Sequence, residues 1–145
     1  MRTVTPPWTI NAATLTAYRQ TEYRVLEGVR AVLKIGVVCA DLALLHATYQ
    51  TECSSFITAC NPLGDVLSDA QNAHRQQALA AELARRGLVA LRGIGRHPTN
   101  GWPGEPSYLV LGTPRLLALE LGRQFAQNAV IWAGADALPE LLLLR

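Results

Sequence analysis

Asn61, Asn72, Gln127 and Asn128 place four carboxamides where apolar runs stop or helices start, and Arg75, Glu105 and Ser107 stand near the same junctions. Carboxamides do not titrate near neutrality, so they are poor general acids or bases. Each offers two N–H donors and an acceptor oxygen, which suits recognition. If they converge near strand ends and a helix N-terminus, the free main-chain amides there add an anion-holding element. The same amides would otherwise satisfy main-chain groups at a strand end, where an unpaired buried group costs about 1–3 kcal/mol. Glu105 and Ser107 flank Pro106, and alternation along an extended segment puts both on the side of Leu109. Apolar surroundings would raise the Glu105 pKa and make it a candidate base, with His97 on the same loop as its partner. The alternative is that Glu105 pairs with an arginine such as Arg75 or accepts from loop amides. Trp102 can stack on a base or sugar, or pin its Gly/Pro-rich loop to the body.

Other chemistries lack their residues. There is no G-x-x-x-x-G-K-[ST], G-x-S-x-G or H-E-x-x-H, and the Gly93-Ile94-Gly95 stretch leads into a loop rather than the helix that dinucleotide binding needs. The eleven acidic residues form no D-x-D or E-x-x-H group, so neither a metal nor a cofactor is expected. Cys39, Cys53 and Cys60 are odd in number and have no C-x-x-C spacing, which argues against a disulfide framework and a closed zinc site. Cys60 has no basic neighbour in sequence to make it a nucleophile. The three cysteines read as reduced thiols in a cytoplasmic protein.

Composition sets the frame. A chain of 145 residues that is 50% apolar and 17% charged can fold around one core, burying roughly 68–70% of its unfolded surface without a staple. A single domain over 1–145 is expected, with 1–10 loosely packed. No apolar run approaches the ~20 residues of a membrane span, and the N-terminus lacks the apolar core of a secretory signal. The net charge of +2 is too small to draw nucleic acid through the global field. Between His74 and His97, however, Arg75, Arg85, Arg86, Arg92 and Arg96 stand against Glu82 alone. That segment is either a solvated helix face with helix-dipole arginines or a surface for phosphate or an acidic partner.

The elements that must position these groups follow from pattern. Asn11 caps a short helix with Leu15 and Tyr18 on one face, and TEYRVL and VRAVLKIG form a hairpin about Glu27-Gly28. Asp41 opens a helix with a Leu42, Leu45, Tyr49 stripe and His46 at its edge. A strand over 54–59 ends at Asn61-Pro62, and Ser68-x-x-Gln71 is a capping box for a helix running to Arg86, where Asn72 and Gln76 share the face of Leu79 and Leu83. After Gly87 comes the strand LVALR, then GIGRHPTNGWPGEP, dense enough in Gly and Pro to read as loop, and the strand SYLVLG. Thr113-Pro114 predicts a capped helix start, followed by the strands NAVIWAG and ELLLL. The fold class is α+β: a mixed, mainly antiparallel sheet with helices packed on it. It contains a ferredoxin-like βαββαβ core over about 54–133, an N-terminal helix-hairpin-helix extension and a C-terminal strand.

The segments FITACNP, LSDAQNAHRQQAL, GWPGEPSYLVLG and LGRQFAQNAVIW resemble an uncharacterised bacterial domain-of-unknown-function family, DUF3293, from roughly Leu15 to the C-terminus. The resemblance implies one compact bacterial domain in which Asn61-Pro62, Asn72, Glu105-x-Ser107 and Gln127-Asn128 are the signature positions. Cys60 stands where the family more usually has an aromatic. No reaction comes with it. Three readings therefore stand. One is a domain binding a polar or anionic small ligand or a partner in a cleft lined by Asn61, Asn72, Arg75, Trp102, Glu105, Ser107, Gln127 and Asn128. A second is a hydrolase or nuclease-like enzyme using Glu105 and His97. The third is a structural module, with homodimerisation through a strand edge.

Overall fold

The structure is a computed structural model that describes residues 10–101 and 103–144. The elements are α1 (Ala12–Gln20), β1 (Glu22–Val25), β2 (Val32–Leu33), α2 (Ala40–Thr48), β3 (Ser54–Ile57), a 3-10 turn at Pro62–Gly64, α3 (Asp69–Arg85), β4 (Val89–Arg96), β5 (Glu105–Leu111), α4 (Arg115–Gln124), β6 (Ala129–Ala133) and β7 (Glu140–Leu143). Helices and strands alternate in the order the sequence predicts. The strands form one sheet, β2-β1-β4-β5-β3-β6-β7, in which every neighbouring pair is antiparallel. β3 and β4 are therefore parallel to each other with β5 between them, and α3 is their crossover. In the same way α4 carries the chain from β5 to β6 across β3.

Both faces of the sheet are covered, which explains why its central strands are continuous apolar runs rather than alternating ones. Leu79 and Leu83 of α3 and Ala118, Leu121 and Phe125 of α4 pack on Ile57, Val110 and Val130. On the opposite face Leu42 and Leu45 of α2 join Tyr23, Val25, Leu33, Phe56, Leu109 and Ile131. Each fully buried leucine contributes about 1.5–3 kcal/mol. The Ser68 capping box forms as predicted, and Asn11 accepts from the Thr14 amide.

Several expectations need correction. The glycine-rich stretch after Leu91 is not loop as far as Arg96: β4 runs through Gly93-Ile94-Gly95-Arg96, pairing Gly93 with Val25 and Ser107, and Gly95 with Tyr23 and Glu105. A Cβ on Gly93 would lie 2.7 Å from the Phe56 ring and 2.9 Å from the Arg24 carbonyl oxygen, so this glycine clears room for an aromatic side chain. The loop shrinks to 97–104. Pro106 falls inside β5, beyond the point where β3 stops pairing with it. Thr113 does not cap α4: its hydroxyl is fully buried and donates to the Val110 carbonyl (2.8 Å), leaving Pro114 at the cap position. Tyr49 lies outside the α2 stripe and is exposed, whereas His46 is buried and 2.8 Å from the Ser54 hydroxyl. The expectation of a loose 1–10 falls, except for Ile10, outside the described residues.

Candidate functional site

β3 stops pairing at Ile57, so the main-chain groups of Thr58 to Asn61 need other partners. Side chains of α3 and of the turn after α4 supply them. Gln76 Oε1 accepts from the Ala59 amide (2.7 Å), and Arg75 donates through Nε to the Ala59 carbonyl and through Nη2 to the Phe125 carbonyl, both at 2.6 Å. Gln127 Nε2 donates to the carbonyls of Cys60 (3.1 Å) and Phe125 (3.2 Å). Asn61 sits in the left-handed region (φ 48°), which asparagine tolerates better than most residues. Its amide donates to Asn72 Oδ1 (2.9 Å), Asn72 Nδ2 returns a bond to Asn61 Oδ1 (2.8 Å), and the Leu67 amide also donates to that oxygen (3.0 Å). Asn61 Nδ2 then reaches Glu105 Oε2 at 3.0 Å.

Arg75 accordingly does not pair with Glu105, because its guanidinium is turned to two carbonyls on opposite sides of the β3 exit. Asn72, Arg75 and Gln76 brace main chain, as does the amide end of Gln127.

Two hollows lie on either side of Glu105. The larger, about 770 Å³, opens toward the N-terminal turn of α3 and is lined by Asn61, Asn72 and Gln76. The smaller, about 220 Å³, lies between α1 and the sheet and contains Ser107, Gln127 and His97. Glu105 and Pro103 belong to both walls. The predicted cleft is thus two chambers with one carboxyl between them. Asn128 reaches the smaller chamber indirectly, its Nδ2 3.4 Å from the Tyr18 hydroxyl. Trp102 lies outside the described residues.

The smaller chamber carries the more distinctive chemistry. The rings of Tyr23 and Phe56 meet edge to face (centroids 5.5 Å apart) on its wall, and Gly95 leaves the floor open beside them. Burial raises the Glu105 pKa above the usual carboxylate value, and the Asn61 bond pulls it part of the way back. Tyr18 is raised too, first by burial, against its bond from Asn128, and further by the charge of Glu105. His97 shares this wall, but both of its ring nitrogens are engaged. Nδ1 accepts from the amides of Thr99 (3.1 Å) and Asn100 (3.0 Å), so the hydrogen is on Nε2, facing Gln20 Oε1 at 2.9 Å. No basic lone pair of His97 is left for the chamber. Cys60 is buried, and desolvation pushes its thiol pKa up, which disfavours the nucleophilic thiolate.

Tyr18, Tyr23, Phe56, Thr58 and Gly95 were not among the expected site residues. Glycines two apart on one strand face were the available signal for Gly95. Nothing in spacing links Tyr18 to residues some ninety positions away. Part of the basic segment is paired within the molecule: Arg85 and Arg86 both bond Glu82, holding its carboxyl down to about 2, and Arg92 faces Glu27 at 3.4 Å.

Residues 57–130, just over half of the chain, match the family model described as a protein of unknown function, DUF3293. The chain belongs to this family. No curated protein and no solved structure matches it. The DUF3293 stretch takes in Asn61, Asn72, Arg75, Glu105, Ser107, Gln127 and Asn128, and leaves Tyr18, Tyr23 and Phe56 outside. Among the described residues no helix is long and apolar enough to cross a membrane, and no three His, Cys, Asp or Glu side chains cluster as a metal site.

Proposed function

We propose that this DUF3293 chain is a single-domain, cytoplasmic bacterial protein that binds a small polar ligand in the chamber between α1 and the sheet, with Glu105 as the recognition group. The observation that carries this reading is the state of that carboxyl. Asn61 holds Oε2, while Oε1 has no hydrogen-bond partner among the described residues and desolvation already raises the group's pKa. A half-buried carboxylate with one neutral donor is costly unless something completes its coordination. Around it are two aromatic rings and several hydroxyl and amide groups, the usual make-up of a small-molecule pocket. Among the described residues no arginine or lysine lines the chamber, which supports the polar half of "polar or anionic" over the anionic half. The enzymatic reading loses its base partner in His97. The structural reading applies to Asn72, Arg75 and Gln76, whose side chains are turned to main chain or to Asn61.

Protein-observed NMR of the full chain against a library of small polar fragments tests the proposal. Shifts should cluster at Gly95, Glu105, Ser107 and Gln127. Glu105→Gln should weaken those ligands while leaving the melting temperature unchanged or raised, because it removes a poorly solvated charge. Asn72→Ala should do the reverse. Fragment shifts that avoid the chamber, or a Glu105→Gln protein as destabilised as Asn72→Ala, would leave only a scaffold.

A further inference from the structure

Resting on that ligand-binding reading, the geometry points to a protonated aliphatic amine as the ligand class of the smaller chamber. Several side chains on its wall give their hydrogens to carbonyls of the protein, which leaves acceptor oxygens for the chamber. Gln127 uses both N–H groups on the carbonyls of Cys60 and Phe125, leaving Oε1 without a hydrogen-bond partner among the described residues. The Ser107 hydroxyl donates to the Glu105 carbonyl (3.1 Å) and the Tyr23 hydroxyl to the Tyr18 carbonyl (2.7 Å), while Thr58 donates to the Pro106 carbonyl (2.7 Å) and its oxygen also accepts from the Cys60 amide (3.0 Å). Glu105 Oε1 is an acceptor whenever it is ionised. Tyr18 differs, since its oxygen accepts from Asn128 and its own hydrogen is not given to a described residue.

A wall rich in acceptors selects a ligand rich in donors. An ammonium group brings three N–H donors and the charge that Glu105 lacks a partner for. The Tyr23 and Phe56 rings suit the same guest, because the negative face of an aromatic ring attracts a cation. An anion would meet the Glu105 charge with no guanidinium or ammonium among the described wall residues to offset it. A chamber of about 220 Å³ lies below the range of drug-sized pockets and suits a small guest.

The experiment titrates the full chain with butylammonium chloride, butyramide and sodium butyrate at matched ionic strength, followed by calorimetry and by NMR. Butylammonium should bind tightest, shift the Gln127 and Ser107 resonances, and lower the pKa of the Glu105 carboxyl followed by its own carbon resonance. Glu105→Gln should weaken it by about tenfold or more, as expected for a charge-assisted hydrogen bond. The carboxyl titration in the unaltered protein gives the same answer if that variant does not fold. Butyramide or butyrate binding as tightly as butylammonium at these residues, or butylammonium binding unaffected by Glu105→Gln, overturns the amine assignment and leaves the ligand pocket standing. Failure of all three probes to perturb any wall residue overturns both.

Discussion

Arg75 and Glu105 show how differently two charged side chains behave a few ångströms from the same strand exit. Arg75 has become part of the backbone: its planar fork joins the Ala59 and Phe125 carbonyls, and Ala59 is fully buried. Arg75→Ala should cost about 1–3 kcal/mol in urea unfolding, since it orphans the buried Ala59 carbonyl while the Phe125 carbonyl keeps its bond from Gln127. Arg75→Lys should not restore it, because a single ammonium lacks the fork that spans two carbonyls. Unchanged stability in Arg75→Ala would mean that water replaces the guanidinium and that the brace is dispensable. The types of these polar residues, and their position at one junction, were legible in the sequence. Their partners were not, because a main-chain carbonyl leaves no mark in a list of residue types. For that reason Arg75 read as a ligand or as a mate for Glu105, and the four carboxamides read as one cluster when they divide between two chambers and a brace.

At the scale of elements, the order of helices and strands could be read almost completely, because apolar runs of strand length, the capping box at Ser68 and the stop at Gly87 (φ +70°) each act locally. β4 was cut short because glycine serves two purposes: it permits turns, and it clears space for a large neighbour. Only the second applies at Gly93, and the neighbour, Phe56, arrives from another strand. Two substitutions separate these effects. Gly93→Ala should destabilise by about 1–3 kcal/mol through overpacking against the Phe56 ring and the Arg24 carbonyl. In Gly95→Ala the new methyl meets the Tyr23 ring at an ordinary 3.6 Å, so folding should be nearly unaffected while affinity in the chamber falls. Equal losses of stability, measured by thermal denaturation, would contradict this account of the floor. Thr113 fails as a cap for a different, local reason: its hydroxyl donates to the Val110 carbonyl three residues upstream instead of accepting from the first turn of α4.

For the whole molecule, acidity should act on the fold through two desolvated groups with opposite signs, the buried His46 and the half-buried Glu105. Burial lowers the His46 pKa below 6.5, so the unfolded chain takes up a proton that the native state refuses. Stability should decline as pH falls through about 6.5 and level off once the native pKa is passed. Burial raises Glu105 above 4.5, so there the native state keeps a proton that the unfolded chain has lost. Its contribution should grow as pH falls through the native pKa, and stop growing near 4.5. Urea melts of the parent and of His46→Gln at about pH 7.5 and about pH 5.5 isolate the first effect. The parent should lose more stability than the variant over that interval, and an equal loss would show that His46 is not the acid-sensitive group.

The stretch that matches DUF3293 holds the acid-bearing strand and its Asn61 anchor, whereas the Tyr18 hydroxyl overhead belongs to α1, upstream of the match. The chamber thus draws on both sides of the matched boundary: Glu105, Ser107 and Gln127 lie inside it, while Tyr18, Tyr23 and Phe56 lie upstream. On the ligand-binding proposal, a different leading helix over the same Glu105 would change the outline of the guest admitted without altering how the strands pair.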